Sequence, residues 1–241
     1  MTDLLKAANL NRAANKKKDQ STLMRLVLLG PPGAGKGTHA KILSEKFKAA
    51  HLATGDILRQ HIRGKTPLGV KAKDIIESGN LVPDHLVNEM MFEEILNVKK
   101  PAFILDGYPR TIGQAEALDE FLKKNAMKLD GVLDFETSEK VIIDRLSGRR
   151  VCPKCGANFH IRNIPSKKEG ICDLCGEKLV QRKDDTPETI QHRLEMYQKE
   201  TSPLIQYYKK QDILMPVPGD YDVPALQAVL KTLFDELKLA V

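Results

Sequence analysis

The sequence predicts an α/β fold in which helices cover both faces of a five-stranded parallel sheet. Short β-like runs alternate along the chain with segments of helical periodicity, which is the pattern of parallel sheets. The 241 residues are 41% hydrophobic and 29% charged, enough for one sizeable core with an inserted lobe or two. A glycine-rich segment at 30–38 follows the first run and opens the first helix. That placement is typical of a phosphate-binding loop.

The elements follow from local signals read in order. The first β-like run is the apolar Leu26-Val-Leu-Leu29, and the five predicted strands are 25–29, 49–53, 102–105, 132–135 and 213–217. Stretches of helical periodicity lie between and after them; the predicted helices are 37–47, 67–78, 83–98, 111–125, 138–149, 187–210 and 224–239. Thr186 before Pro187 is an N-cap followed by proline in the first turn.

Two regions do not fit simple alternation. Residues 53–82 hold two helix patterns separated by Gly64-Lys-Thr-Pro67, and residues 148–185 have almost no helix signal but contain every cysteine. Both are predicted to be lobes inserted at the carboxyl ends of strands, where open α/β sheets bind ligands. The predicted core therefore comprises 24–52, 83–147 and 186–241, preceded by a basic extension at 1–23.

Charge and composition restrict the possible partners. The formal charge of +6 is concentrated in residues 1–25, where six basic and two acidic side chains give a local net of +4. The rest is nearly neutral and there is no tryptophan, so we expect no nucleic-acid binding. No apolar run approaches the roughly 20 residues of a membrane span. The polar beginning of the chain argues against secretion. We expect a monomeric cytoplasmic protein without a membrane partner, with the mitochondrial intermembrane space as the alternative location.

The glycine-rich loop carries the strongest chemical signal. Glycines at 30, 33, 35 and 37 allow positive φ, so that backbone N–H groups can face phosphate oxygens. The helix that follows directs its positive end at the same anion, and Lys36 adds a charge for the terminal phosphates. The residue after the lysine is Gly37 and the hydroxyl is displaced to Thr38. The alternative is an ordinary Gly-Pro turn between strand and helix.

The four cysteines form two pairs at the spacing of a structural metal site. Cys152-Pro-Lys-Cys155 and Cys172-Asp-Leu-Cys175 are separated by sixteen residues, and four thiolates would complete a tetrahedral zinc shell with no open position. Such a zinc would stabilise a lobe of 38 residues that is too small for its own core. Two disulfides and a redox dithiol are the alternatives, and a nucleic-acid-binding zinc ribbon is the functional rival.

Arginines and one aspartate extend the phosphate signal. The arginine fork suits phosphate oxygens, and the arginines at suggestive positions are Arg59, Arg110, Arg145, Arg149, Arg182 and Arg193. Arg145 and Arg149 are four residues apart and are predicted to share a helix face, repelling each other unless an anion lies between them. Asp106 ends an apolar strand, where a hydrated Mg²⁺ beside a nucleotide phosphate is commonly held. Surface ion pairs and a turn cap are the alternatives.

Four motifs together resemble those of adenylate kinases, in order and at family spacing, over residues 24–238. They are Gly30-x-Pro-Gly-x-Gly-Lys-Gly-Thr38, Thr54-Gly-Asp-x-Leu-Arg59, Asp106-Gly-Tyr-Pro-Arg-Thr111 with Gln114, and Arg145-x-x-Gly-Arg149. The cysteine-containing insertion is similar to the family's long lid in its zinc-binding form, and Arg182-Lys-Asp-Asp185 with Arg193 completes the pattern. The resemblance implies a P-loop NTPase-like core, a helical lobe for the nucleoside monophosphate at 53–82 and a lid at 148–185.

The resemblance also implies the reaction Mg·ATP + AMP ⇌ 2 ADP and a role for each matched residue. Donor binding is assigned to Gly33, Ala34, Gly35, Lys36, Gly37, Thr38, Arg145, Arg149 and Tyr221. AMP binding is assigned to Thr54, Arg59, Asn80, Leu81, Val82, Gly107, Arg110, Gln114, Arg182 and Arg193. Catalytic roles are assigned to Lys36, Arg110, Arg145, Arg149, Arg182 and Arg193, while Asp106 would order Mg²⁺ through water.

Two readings within the enzyme class and one outside it stay open. A GTP:AMP phosphotransferase and a UMP/CMP kinase would use the same machinery. The family commonly continues with Asp-Gly or Asp-Ala after the last strand, whereas this chain has Pro218-Gly-Asp-Tyr221 near the expected position of the donor base. Outside the class, a P-loop protein with a zinc ribbon could bind nucleic acid and use nucleotide as a switch. It would bind RNA or DNA with a salt-sensitive affinity.

Overall fold

The computed structural model describes residues 24–99 and 102–236. The predicted basic extension at 1–23 and the predicted helix end at 237–239 lie outside the described residues. Within them, no helix is both long enough and apolar enough to cross a bilayer.

The elements alternate as predicted. The strands are β1 (Arg25–Leu29), β2 (Ala50–Ala53), β3 (Phe103–Asp106), β4 (Gly131–Glu136), β5 (Arg149–Val151), β6 (Asn158–His160) and β7 (Leu214–Pro218). The α-helices are α1 (Lys36–Phe47), α2 (Thr54–Arg63), α3 (Pro67–Glu77), α4 (Asp84–Asn97), α5 (Ile112–Lys124), α6 (Glu139–Ser147), α7 (Pro187–Met196), α8 (Pro203–Lys210) and α9 (Val223–Glu236). A 3₁₀ turn at Lys183–Asp185 and a π turn at Tyr197–Thr201 complete them.

Five of these strands form one parallel sheet in the order β2-β3-β1-β4-β7, which confirms the predicted fold class. Leu28 and Ala53 are both in register with Asp106, so β1, β2 and β3 end at the same edge of the sheet. The residues that follow β1 and β2, the glycine-rich loop and Thr54, therefore lie beside Asp106. This edge contains the site described below.

The sheet has a hydrophobic core on each face, because its central strand has no polar side. Along β1, Val27 and Leu29 belong to one cluster of buried residues, while Leu26 and Leu28 belong to the other. Strands covered on both faces are continuously apolar, which is why this run was recognisable in the sequence. A rigid strand buried in this way fixes the start of the loop that follows it.

The segment 187–210 was predicted to be one α-helix, but a π turn at Tyr197–Thr201 divides it into α7 and α8. The prediction of a single uninterrupted α-helix was therefore wrong. Pro203 has no N–H to donate to the carbonyl four residues earlier, and the π turn precedes it. The interruption places Thr201 against the site, since its hydroxyl donates to the Arg110 carbonyl at 2.8 Å.

The prediction that Arg145 and Arg149 share a helix face was also wrong. Helix α6 ends at Ser147 with Gly148 as its C-cap, and Arg149 begins β5. Arg149 pairs with His160 in the short antiparallel β5–β6 ladder, an element that the sequence did not predict. Arg149 is therefore a strand residue and does not continue the helix that carries Arg145, although both arginines line the larger cleft.

The segments 53–82 and 148–185 contact each other. Helices α2 and α3 pack against each other within 53–82, and the four cysteines lie in 148–185. Lys183 Nζ lies 3.2 Å from the Glu77 carboxylate, and His192 Nε2 lies 2.8 Å from Asn80 Oδ1. These contacts connect the first segment to the base of the second and to α7.

Candidate active site

The glycine-rich loop turns from β1 into α1 by backbone conformations that favour glycine. Gly35 has φ 92° and precedes the first helical residue, Lys36. Gly30 and Gly33 also have positive φ, whereas Gly37 does not, so the prediction for Gly37 was wrong. Gly37 lies within the helix, and a Cβ there would be 3.2 Å from Asp106 Oδ2. Its missing side chain permits the close approach of that carboxylate.

Lys36 is held over the loop. Its Nζ donates to the carbonyl oxygens of Gly30 at 2.6 Å and Pro31 at 2.7 Å. Burial lowers the pKa of Lys36 to about 8, with Asp106 opposing the shift and Arg110 and Arg193 adding to it. A buried ammonium without a full counter-charge attracts an anion strongly, because the anion replaces the favourable interaction with water that burial removed.

Two adjoining clefts open at this edge of the sheet. The first is lined by every residue predicted to bind AMP: Thr54, Arg59, Asn80, Leu81, Val82, Gly107, Arg110, Gln114, Arg182 and Arg193. The second is larger and is lined by every residue predicted to bind the donor, together with Asp106: Gly33, Ala34, Gly35, Lys36, Gly37, Thr38, Arg145, Arg149 and Tyr221. The tertiary structure therefore brings together all the residues that were predicted to bind nucleotide.

Four arginines line both clefts and mark where they meet: Arg59, Arg110, Arg182 and Arg193. Arg110 Nε donates to the Gly107 carbonyl at 2.9 Å, and burial lowers the pKa of Arg110. Burial also lowers the pKa of Arg193 to about 10. Such a concentration of positive charge in a partly dry cleft is suited to binding a polyphosphate.

Carboxylates compensate part of this charge. Asp184 lies 2.5 Å from Arg182 and 3.4 Å from Arg193. Although burial alone would raise the pKa of Asp184, these arginines hold it well below its usual range. Asp185 is buried and lies 3.2 Å from Arg193. Asp56 lies 2.5 Å from Arg59.

At the far end of the larger cleft, Arg145 is held by backbone carbonyls. Its guanidinium donates to Gly219 at 2.7 Å, to Tyr221 at 2.8 Å and to Ala34 at 3.3 Å. It therefore connects α6, the glycine-rich loop and the segment after β7. Its planar face is a suitable surface for stacking of an aromatic base.

Asp106, the residue predicted to order Mg²⁺, lines the larger cleft together with the glycine-rich loop. It ends β3, and its Oδ2 is 3.2 Å from His51 Nε2. A carboxylate beside the amides and lysine of a phosphate loop is the type of ligand that holds a hydrated Mg²⁺. The donor chemistry is therefore compatible with Mg²⁺ brought in by a nucleotide.

The four cysteines converge. Their sulfur atoms all lie within 4.8 Å of one another, and the closest pairs, Cys152–Cys175 and Cys155–Cys172, are separated by 3.3 and 3.5 Å. A bonded disulfide would bring the sulfurs to about 2.05 Å, and all four cysteines are free. The two knuckles share one backbone pattern, with the amides of Gly156 and Gly176 donating to the carbonyls of Cys152 and Cys172. The donor set fits zinc with a closed tetrahedral shell.

The sequence did not point to Asp84, which is the first residue of α4. It accepts hydrogen bonds from Gln114 Nε2 and from the Thr111 hydroxyl, both at 2.7 Å. Its only signal in the sequence was its position after Pro83, which indicates a helix start and nothing more. A contact across 30 residues is not visible without the fold.

Comparisons with known proteins agree with these features. The adenylate kinase family model matches residues 28–213. The adenylate kinase of Clostridium tetani (strain Massachusetts / E88) is 53% identical over 197 residues, covering 81% of this chain and 91% of the relative. Those of Clostridium acetobutylicum and Caldicellulosiruptor bescii are 46% and 48% identical, covering 89% and 87% of this chain and 100% and 99% of the relatives. This chain belongs to the adenylate kinase family.

Proposed function

We propose that this chain catalyses reversible phosphoryl transfer between ATP and AMP, giving two ADP, with AMP in the smaller cleft and ATP in the larger one. The observation that carries the proposal is the set of four arginines common to both clefts. Two nucleotides that enter from opposite sides would bring their phosphates together at that junction. Phosphoryl transfer needs positioning and charge neutralisation rather than a protein nucleophile.

Each group of residues has a distinct task in this proposal. The amides of residues 33–38 and Lys36 hold the phosphates of the donor, while Arg145 packs against its base and Arg149 reaches its phosphates. Arg59 and Arg110 hold the AMP phosphate in line. Arg182 and Arg193 neutralise the transferring group, where charge stabilisation is worth most.

The metals have separate places. Magnesium bound with ATP would neutralise phosphate charge, with Asp106 as its second-sphere ligand. Zinc would be held by Cys152, Cys155, Cys172 and Cys175 and would have no chemical step to perform, because its shell is complete. The zinc site would instead fix the shape of the segment 148–185, which lacks a large core of its own: its buried cluster is small and contains two of the cysteines.

Closure of the segments 53–82 and 148–185 over the nucleotides would exclude water, which otherwise competes with AMP for the phosphoryl group. Arg182 is paired with Asp184, and Arg193 with Asp185. Polyphosphate would compete with these carboxylates for the arginines. Binding energy would then assemble the site only when substrate is present.

We further propose that the protein works as a cytoplasmic monomer without a nucleic-acid partner, and that ATP is preferred over GTP. A coupled assay of ADP formation tests the reaction, with ATP or GTP as donor and AMP, CMP or UMP as acceptor. ATP with AMP should give the highest kcat/KM. If CMP or UMP is the better acceptor, or GTP the better donor, the corresponding alternative replaces this proposal.

Two variants test the proposed machinery. Lys36→Ala and Arg110→Ala should each lower turnover by about 10²–10³-fold or more, while circular dichroism stays unchanged. Glu93→Gln is a suitable control, because this exposed carboxylate lies on α4 away from both clefts. Turnover near that of the control in either variant would contradict the role assigned to that residue.

A further inference from the structure

Gln114 is an amide whose orientation is fixed by chemistry. It is 2% exposed and lines the smaller cleft. Its Oε1 accepts a hydrogen bond from the backbone N–H of Arg110 at 2.7 Å, and its Nε2 donates to Asp84 Oδ1 at 2.7 Å. A backbone N–H can only donate and an ionised carboxylate can only accept. Rotating the amide by 180° would therefore replace two good bonds by two repulsive contacts.

Asp84 is itself held in place. Its second oxygen, Oδ2, accepts from the Thr111 hydroxyl at 2.7 Å, and that hydroxyl in turn accepts from the Gln114 backbone N–H at 3.1 Å as the N-cap of α5. The carboxylate, the helix cap and the amide form one connected network. Such networks give each member a single orientation.

The network uses only half of the amide. A primary amide has two N–H donors and an oxygen with two lone pairs, and the internal bonds use one of each. One donor and one acceptor stay available in a fixed order. Adenine offers a complementary edge, with N1 as an acceptor and the 6-amino group as a donor. Hypoxanthine offers the reverse, with N1–H as a donor and O6 as an acceptor.

We propose that Asp84 is a specificity-determining positioning residue, which locks the Gln114 amide so that the smaller cleft accepts 6-amino purine monophosphates and rejects 6-oxo ones. This inference rests on the proposed function, in which AMP occupies the smaller cleft; because Gln114 lines that cleft, we place the base of AMP beside it. A free amide would rotate to suit either base, so discrimination needs the lock. Asp84 does not touch substrate in this arrangement.

The wild-type protein tests the lock directly with three acceptors: AMP, purine riboside 5′-monophosphate and IMP. The purine analogue keeps the N1 acceptor and lacks the 6-amino group, so it loses one contact. IMP opposes both. If the amide is locked, kcat/KM should decrease in the order AMP, purine analogue, IMP. An amide free to rotate predicts that IMP exceeds the purine analogue, and that order would overturn the inference.

Asp84→Asn provides the second test, because asparagine can donate to a rotated Gln114 as well as accept from it. The ratio of kcat/KM for AMP to that for IMP should fall at least about tenfold, as expected when a charge-assisted hydrogen bond is removed. The KM for ATP should stay within about twofold. Glu93→Gln, which removes an exposed carboxylate from the same helix, should leave the ratio unchanged.

The outcomes separate the two proposals. If the wild-type protein forms no ADP from ATP and AMP, the proposed function fails. If it does and Asp84→Asn lowers activity with AMP and IMP equally, Asp84 is merely structural and the inference fails. Even if the variant does not fold, a wild-type acceptor series in which IMP exceeds the purine analogue overturns the inference.

Discussion

The guanidinium of Arg149 makes a two-point hydrogen bond to the carboxylate of Asp185, with Nε donating at 2.7 Å and a terminal nitrogen donating to the other oxygen. The Asp185 side chain is fully buried, while that of Arg149 is 20% exposed. Asp185 Oδ1 also accepts from Arg193 at 3.2 Å. One carboxylate thus joins both ends of the segment 148–185 to α7 and holds two arginines that the proposed reaction needs for phosphate.

Asp185→Asn should therefore destabilise the protein strongly. Removing one partner from a buried ion pair leaves the other charges uncompensated and costs about 3–5 kcal/mol. Chemical denaturation would measure the loss in free energy of unfolding. Glu195→Gln on α7 removes an exposed carboxylate and should change that free energy by less than about 0.5 kcal/mol. Equal effects of the two variants would show that the Asp185 pair contributes little.

ATP binding should weaken as the pH rises above 8. Burial lowers the pKa of Lys36 from 10.5 to about 8, so above pH 8 the unliganded site loses the charge that attracts phosphate. The Kd for ATP should then increase by up to about tenfold per pH unit. Titration calorimetry at pH 7, 8 and 9 measures it.

Lys36→Met supplies the control for that experiment, since it removes the titrating group. Its weaker binding should be much less dependent on pH over the same range.

The lysine also affects stability: because its folded pKa lies below its unfolded value, the unfolded chain binds more protons between pH 8 and 10.5. Its contribution therefore makes the folded state more stable as the pH rises through that window. If the Kd for ATP of Lys36→Met still depends steeply on pH, the pH dependence of ATP binding belongs to another group.

Metal removal should affect the donor side more than the acceptor side. All four cysteines lie in the segment 148–185. This segment contributes Arg182 and Asp184 to the lining of the smaller cleft, but seven residues to that of the larger one, among them Asn158, Phe159 and His160. Cys172→Ser should lower the zinc content from about one ion per chain and reduce turnover at least about tenfold. AMP affinity should change by less than about threefold. Elemental analysis and calorimetry on the same sample provide the readouts. Full zinc content in the variant would exclude the four-thiolate site.

His160 should make the segment 148–185 sensitive to acid. Its Nδ1 accepts from the backbone N–H groups of Arg162 and Asn163 at 3.1 and 3.0 Å, so protonation would break both bonds. Burial lowers the pKa of His160, and the charges of Arg150 and Arg145 add to this shift. A lowered histidine pKa means that the unfolded chain takes up the proton first, so stability falls as the pH drops below about 6.5.

His160→Asn checks this, because the asparagine oxygen can accept similar bonds and does not titrate. The advantage in Tm of the wild-type protein over the variant should be larger at pH 7 than at pH 5.5. The group packs tightly: a Cβ on Gly148 would lie 2.2 Å from His160 Nε2, so the imidazole lies directly on the last turn of α6. A constant difference in Tm at both pH values would contradict the assignment.

Much of the fold was predictable because its signals are local. The apolar run of β1, the glycine-rich loop and the helix after it are adjacent in the chain, and their order specifies a phosphate loop whatever lies elsewhere. The paired cysteines are similarly local. Strand order was not accessible in this way, nor was the end of α6 at Ser147, because ladder pairing with β6 competes there with helical propensity. In the sequence, only Pro203 itself signalled the π turn that divides the predicted helix.

The sequence by itself determined which chemistry is available: a lysine and glycines for phosphate, arginines for a second anion, and four thiols for a metal. Only the tertiary structure decided how those groups combine. It placed Arg59, Arg110, Arg182 and Arg193 between two clefts, and it brought Asp84 to Gln114. The physical reason is that residue type is a local property, whereas charge compensation and hydrogen-bond orientation depend on neighbours that are distant in the chain.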